Sequence, residues 1–171
     1  MAKKNSRATR AKIVSAAWKL FYEQGYEDTT VEEIIEVSQT SKGSFYHYFD
    51  GKDALLSTLS SLFDEKYEEL TGLLTPEMTA MEQLLFLNRE LFHMIEDSIS
   101  LDLLARLYST QLTTNGEKHL LDHNRIYYKL LRKIIAKGQA EGQLSSRSNV
   151  NEMVKLYALC ERALLYDWCL C

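Results

Sequence analysis

SKGSFYHYFDGK, residues 41–52, packs four aromatic rings, a histidine, two lysines and two glycines into twelve positions. A helix so rich in rings reads as core, yet Lys42, Gly43, Ser44 and His47 interrupt it. At about 100° per residue the stretch separates into two faces. Phe45, Tyr48 and Phe49 fall on one side; Lys42, Gly43, Tyr46 and His47 fall on the other, with Ser44 at the border. The first face can plug a core. The second offers a point charge, a flat ring with a hydroxyl and an imidazole donor. Its glycine costs about 1 kcal/mol relative to alanine in a helix, which points to a surface brought close to the backbone.

The residues around this stretch set its context. TTVEEIIEVS, residues 29–38, places Thr30 and Glu33 three apart as a capping box, ahead of a short helix carrying Val31, Ile34, Ile35 and Val37. SQTS, residues 38–41, then breaks the pattern with four small or polar side chains. A short helix, a turn and a second helix with a polar outer face is the geometry of a helix-turn-helix. Its second helix enters the major groove while neighbouring groups hold phosphates. Upstream, Ile13, Ala16, Ala17, Leu20 and Phe21 recur at helical spacing with Gly25 just beyond, predicting a first helix from Ala11.

Downstream the pattern stays helical. Asp50 is a candidate cap for a fourth helix running to Gly72 with Leu55, Leu56, Leu59, Leu62, Phe63 and Leu70. Thr75 and Pro76 predict the start of a fifth, whose apolar stripe has one polar member, Asn88. A sixth is expected from near Leu101, a seventh over 117–140, and an eighth capped by Asn149 and Glu152 and running to the chain end. The single proline and seven glycines in 171 residues also favour helix over sheet. The expected fold is all-α: a three-helix helix-turn-helix head over residues 1–52, joined by a linking helix to a larger helical body over 53–171.

Charge and cysteine usage narrow the function classes. The chain carries a net −4, yet its first 22 residues hold Lys3, Lys4, Arg7, Arg10, Lys12 and Lys19 with no acid. A basic arm on an acidic protein is either a solvated tail or a contact for a polyanion at one end. No run approaches eighteen apolar residues and the N-terminal stretch lacks an apolar signal region, so no membrane association and a cytoplasmic location are expected. Cys160, Cys169 and Cys171 form neither a disulfide framework nor a metal-ligand spacing, and read as reduced thiols near a helix interface. No cofactor or metal is expected.

The string TTVEEIIEVSQTSKGSFYHYFDGKDALL, residues 29–56, resembles the DNA-binding signature of TetR/AcrR-type transcriptional regulators. Thr30, Ser41, Lys42, Gly43, Ser44, Tyr46, Tyr48, Phe49, Lys52 and Leu55 match the family pattern, and the likeness covers about residues 8–60. The resemblance implies that Thr30, Thr40, Ser41, Lys42, Gly43, Ser44, Tyr46, His47 and Lys52 meet DNA. Thr30, Tyr46 and Lys52 would mainly hold phosphates, Thr40, Ser44 and His47 would read bases, and Lys42 would do either. Two departures stand out. Ser38-Gln39 replaces the usual Ala-Gly at the turn, so a non-glycine takes the tight corner or the corner is shaped differently. The chain also stops at LLYDWCLC, where family members commonly continue, implying an abbreviated interface or a shortened chain.

The same resemblance implies a palindromic double-stranded DNA operator, a homodimer formed by the body, and a small-molecule effector that releases DNA, most often from a repressor. The last helix, apolar over much of its circumference, fits burial by core and partner together, with Tyr157, Cys160, Leu164 and Trp168 as interface candidates. Phe86, Asn88, Phe92, His93, Tyr108, Gln111, His123, Tyr127 and Trp168 are the candidate pocket residues. They mix aromatic walls with a few polar groups, which fits an apolar or aromatic effector. No catalytic triad, paired-carboxylate motif or phosphate loop appears, so an enzyme is not expected. A helical module that uses the helix-turn-helix to bind protein is the alternative.

Overall fold

In a computed structural model the described residues are 2–113 and 119–170. They form helices α1 (Ala2–Gln24), α2 (Val31–Ser38), α3 (Lys42–Tyr48), α4 (Lys52–Leu56), α5 (Leu59–Thr71), α6 (Ala80–Ser98), α7 (Leu101–Thr113), α8 (Ile126–Ala140) and α9 (Val150–Trp168), with a 3-10 turn at His119–Leu121. There is no strand among the described residues, and no helix is long and apolar enough to cross a membrane. The chain is all-α. The basic arm and the first helix are one element, since α1 begins well before Ala11.

Contacts divide the chain into two compact units. One comprises Met1–Leu59 with Ser98–Leu112, the other Ser60–Asp97 with Thr113–Cys171. This division differs from a boundary at residue 52, because α7 packs with the head. Leu103 of α7 is buried in the same cluster as Ile13, Ala17 and Phe21 of α1, Ile34 of α2, Phe45 of α3, Phe49 and Leu55.

The head is a small core closed around rings. Trp18 meets Phe21 edge-on at 5.5 Å, and Phe21 lies 5.0 Å from Tyr26. The linking segment is two helices rather than one continuous run to Gly72. The hydroxyls of Ser57 and Thr58 donate back to the carbonyls of Ala54 and Leu55 at 2.8 and 2.6 Å, which competes with the helical ladder. Trp18 Nε1 donates to Thr58 Oγ1 at 2.8 Å and fixes that break to α1.

In the second unit α5, α6, α8 and α9 bury Phe63, Leu87, Ile95, Tyr128, Leu131, Ile135, Val154 and Leu165. The expected start of α6 at Thr75 and Pro76 is a turn instead, with Met78 N donating to Thr75 O. The helix is capped four residues later, where Thr79 and Glu82 exchange side-chain and backbone hydrogen bonds. The seventh expected helix starts late, at Ile126, and its early part falls partly on residues 114–118, outside the described residues. Arg125, just before it, makes a two-pronged ion pair with Asp64 of α5 at 3.0 and 3.1 Å and reaches the Ser60 carbonyl at 2.8 Å. Gly138 of α8 is required by space, because a Cβ there would stand 2.5 Å from the Ala80 Cβ. The capping box of Asn149 and Glu152 opens α9.

Candidate functional site

The α2–turn–α3 unit is held by caps at both joints. Thr30 Oγ1 accepts the Glu33 N–H at 3.2 Å, and Glu33 Oε2 accepts the Thr30 N–H at 2.7 Å. These bonds to Thr30 hold the Glu33 carboxyl below its usual range. The corner is taken by Gln39 in the left-handed region, at φ 53 and ψ 42. Its N–H donates to Glu36 O, and the Thr40 N–H donates to Ile35 O, which ends α2 as a glycine would. Ser41 then caps α3 by accepting the Ser44 N–H at 3.1 Å.

Helix α3 has the two faces expected of it. Phe45 is fully buried and Phe49 nearly so, and the half-buried Tyr48 donates its hydroxyl to Ser6 Oγ at 2.9 Å. Opposite them Lys42, Gly43, Tyr46 and His47 are exposed, Tyr46 to 46%. A Cβ at Gly43 would meet nothing closer than the Ser41 hydroxyl at 3.9 Å, so the fold itself does not demand glycine there.

The nine residues assigned to this face differ in how free they are. Gly43, Tyr46 and His47 point outward. Ser41 and Ser44 share a hydroxyl–hydroxyl bond at 2.9 Å, and Thr40 shares one with Ser38 at 2.8 Å. Lys42 pairs with Glu32 at 3.4 Å with both side chains exposed, a weak pair that solvent screens. Thr30 serves its capping box. Lys52 is the exception. Its Nζ donates to the carbonyls of Tyr26, Glu27 and Thr29 at 2.6, 3.2 and 2.9 Å and lies 4.3 Å from the Tyr26 ring centre. An ammonium has three donors, and all three close the α1–α2 loop.

That loop is braced again from α7. The Tyr26 hydroxyl donates to Asp53, Arg106 pairs with Glu27 and with Asp102, and its guanidinium lies 5.3 Å from the Tyr26 ring centre. Burial and the bond to Asp53 push the Tyr26 hydroxyl pKa up. Elsewhere on the head, Lys12, Ser15 and Lys19 of α1 line a groove of about 490 Å³ with Val37 and Gln39.

The pocket candidates do not gather in one place. Tyr108 and Gln111 lie on α7, in the head's compact unit. In the other unit Phe92 stacks on Trp168 at 6.3 Å, the exposed His123 lies 4.7 Å from the Tyr128 ring, Phe86 sits under Arg89, and His93 is exposed. Asn88 and Tyr127 do meet, on Glu161. Sequence reading passed over this glutamate, although Val154, Ala158, Glu161 and Leu165 share one stripe of α9 and all four are buried. Of the interface candidates, Cys160 and Leu164 are exposed, whereas Tyr157 donates to Leu84 O at 2.9 Å and Trp168 is half-buried.

Residues 13–59 match the family model of bacterial regulatory proteins of the tetR family. A relative from Lactococcus lactis subsp. lactis, an uncharacterized HTH-type transcriptional regulator in the lacX 3' region, is 40% identical over 58 residues. That match spans 33% of this chain and 30% of the relative, so it concerns the head. Among solved structures, Thermus thermophilus FadR, a TetR family repressor in complex with lauroyl-CoA, is 26% identical. It covers 86% of this chain and 76% of its own, with a TM-score of 0.67. The regulator FadR of Bacillus subtilis, in complex with stearoyl-CoA, is 20% identical, covers 93% and 86%, and also has a TM-score of 0.67; it shares the fold.

Proposed function

We propose that this chain, whose head belongs to the tetR family of bacterial regulatory proteins, is a transcriptional repressor that binds a palindromic operator as a homodimer and is released by a small effector held in its body. The observation that carries the reading is α3. Two buried rings anchor it while Lys42, Gly43, Tyr46 and His47 face outward. Anchored inner rings let a helix of seven residues present a fixed contact face, which a free peptide of that length does not hold.

Roles follow from the chemistry of each group. Tyr46 and Lys42 hold phosphates, and Lys42 exchanges the exposed Glu32 for DNA. His47 reads a base edge, with Ser44 and Thr40 beside it. Gly43 admits the duplex close to the helix. Ser41 and Thr30 act first as caps. Lys52 is reassigned from phosphate contact to clasp of the α1–α2 loop, since its donors are already satisfied by carbonyls. Lys12 and Lys19 add positive charge beside the corner.

Dimerisation is supported by the outer side of α9, where Leu156, Leu159, Leu164 and Tyr166 are exposed, as is Leu170 just beyond its end. Two heads gain specificity only when paired, because half-sites must lie about one helical turn, or a multiple, apart. The lauroyl-CoA bound by Thermus thermophilus FadR supports a small-molecule effector as a class. The test is selection from random duplexes by the purified protein. A palindrome of two half-sites supports the reading; no enrichment, with salt-insensitive capture of a protein, favours the protein-binding alternative.

A further inference from the structure

Four helices of the body turn polar groups toward one buried point. Glu161 of α9 is 5% exposed. Its Oε2 accepts the Tyr127 hydroxyl from α8 at 2.5 Å, and its Oε1 accepts Asn88 Nδ2 from α6 at 3.0 Å. The ring of Tyr67, from α5, lies 5.0 Å from that of Tyr127, and its hydroxyl is buried without a hydrogen-bond partner. Among the described residues no lysine or arginine forms an ion pair with Glu161; the adjacent Arg162 donates to the Tyr128 hydroxyl instead.

This arrangement is costly for a core. A buried carboxyl with no cation bonded to it, beside an orphaned hydroxyl, lowers stability relative to an apolar pair. Buried polar groups are nearly always satisfied, and among the described residues the Tyr67 hydroxyl is the exception beside Glu161. The ring faces of Tyr67 and Tyr127 beside a carboxylate suit a positive charge, by charge pairing and by cation–π attraction.

The cluster also has an approach. Asn88, which holds Glu161, lines a groove of about 750 Å³ together with Met78, Leu85, Phe86, Arg89 and two acids, Glu77 and Glu82. The apolar members form a wall and the acids a negative rim. Arg89 is the basic member, and it pairs with Glu90. The rim carboxylates Glu77 and Glu82 favour a cation over an anionic ligand, and Asn88, which lines the groove, is hydrogen-bonded to the buried Glu161.

We infer that the groove and Glu161 form one site for an organic cation with an apolar arm. The cation takes Glu161 in place of the Asn88 amide, and the arm lies along Leu85 and Phe86. This rests on the effector reading above and replaces a purely apolar or aromatic effector with a cationic amphiphile.

The test is calorimetric titration of the full chain with decyltrimethylammonium, N,N-dimethyldecylamine N-oxide and decanoate, each below its micelle concentration. The cation is expected to bind at least tenfold tighter than the other two. Glu161→Gln is expected to lower cation affinity at least tenfold and leave N-oxide affinity within twofold. Should that variant fail to fold by circular dichroism, Glu77→Lys at the rim serves, with an expected loss of at least threefold for the cation. Equal binding of the three probes, unchanged affinity in the folded variant, or no cation binding overturns the inference. Operator release by decanoate or the N-oxide, without cation binding, overturns this site's chemistry and leaves the effector reading standing. Cation binding through Glu161 with no change in operator affinity does the reverse.

Discussion

Lys52 and Gln39 show how far single residues can be read. The motif around Lys52 was legible, and the resemblance implied a phosphate contact. Its partners are carbonyls 23 to 26 positions upstream, and a carbonyl leaves no mark in a side-chain pattern. The two roles separate by salt dependence, since each phosphate neutralised contributes about 0.9 to the slope of log affinity against log salt. Lys52→Met is expected to lower operator affinity and melting temperature together while leaving that slope unchanged. A slope smaller by about 0.9 with an unaltered melting temperature would restore the phosphate role. At Gln39 the sequence did mark the problem, as a non-glycine where a tight corner was due. The left-handed conformation is taken anyway, at a cost of about 1 kcal/mol for a residue with a Cβ. Gln39→Gly is therefore expected to stabilise the protein by up to about 1 kcal/mol in urea unfolding; a loss of stability would show that the Gln39 side chain contributes more than its strain.

Among elements, the legible ones were those with strong periodicity and a cap. α2, α3 and the start of α9 carry their caps in sequence. α6 has two competing starts, and the Thr79–Glu82 box prevails over Thr75–Pro76 because it satisfies donors reciprocally. The α4–α5 break was hidden, since Ser57 and Thr58 look compatible with a leucine-rich helix until Trp18 reaches one of them. α9 concealed most. Its apolar residues drew attention, while the glutamate inside the buried stripe was the informative departure. Burial raises the Glu161 pKa above its ordinary 4.5, opposed by hydrogen bonds from Tyr127, Asn88 and Tyr157. The folded chain then keeps a proton that the unfolded chain has released, so this contribution is present below 4.5 and is lost as pH rises through the higher folded value. Relative to Glu161→Gln, the wild-type protein is expected to lose stability in urea unfolding as pH rises above 4.5, until the folded Glu161 has ionised. A difference that stays constant with pH would contradict a buried, titrating Glu161.

For the whole molecule, the helical class and the head followed from sequence, because one short string combined caps, anchors and an outward face. The grouping of α7 with the head did not, because Arg106 reaches Tyr26 and Glu27 some eighty residues earlier in the chain and Leu103 shares a buried cluster with residues 13–56, and such long-range pairs leave no local signal. In the proposed function α3 presents DNA-contacting groups from a helix fixed by its own inner rings. That role is tested most directly by titrating the selected palindromic duplex, and single-base variants of it, with wild type, Tyr46→Ala and His47→Ala. Tyr46→Ala is expected to weaken binding to every duplex about equally. His47→Ala is expected to relax preference at one symmetric base position, with a change of about 1–3 kcal/mol confined to that position. Unchanged affinity in both variants, with the fold intact, would contradict the account.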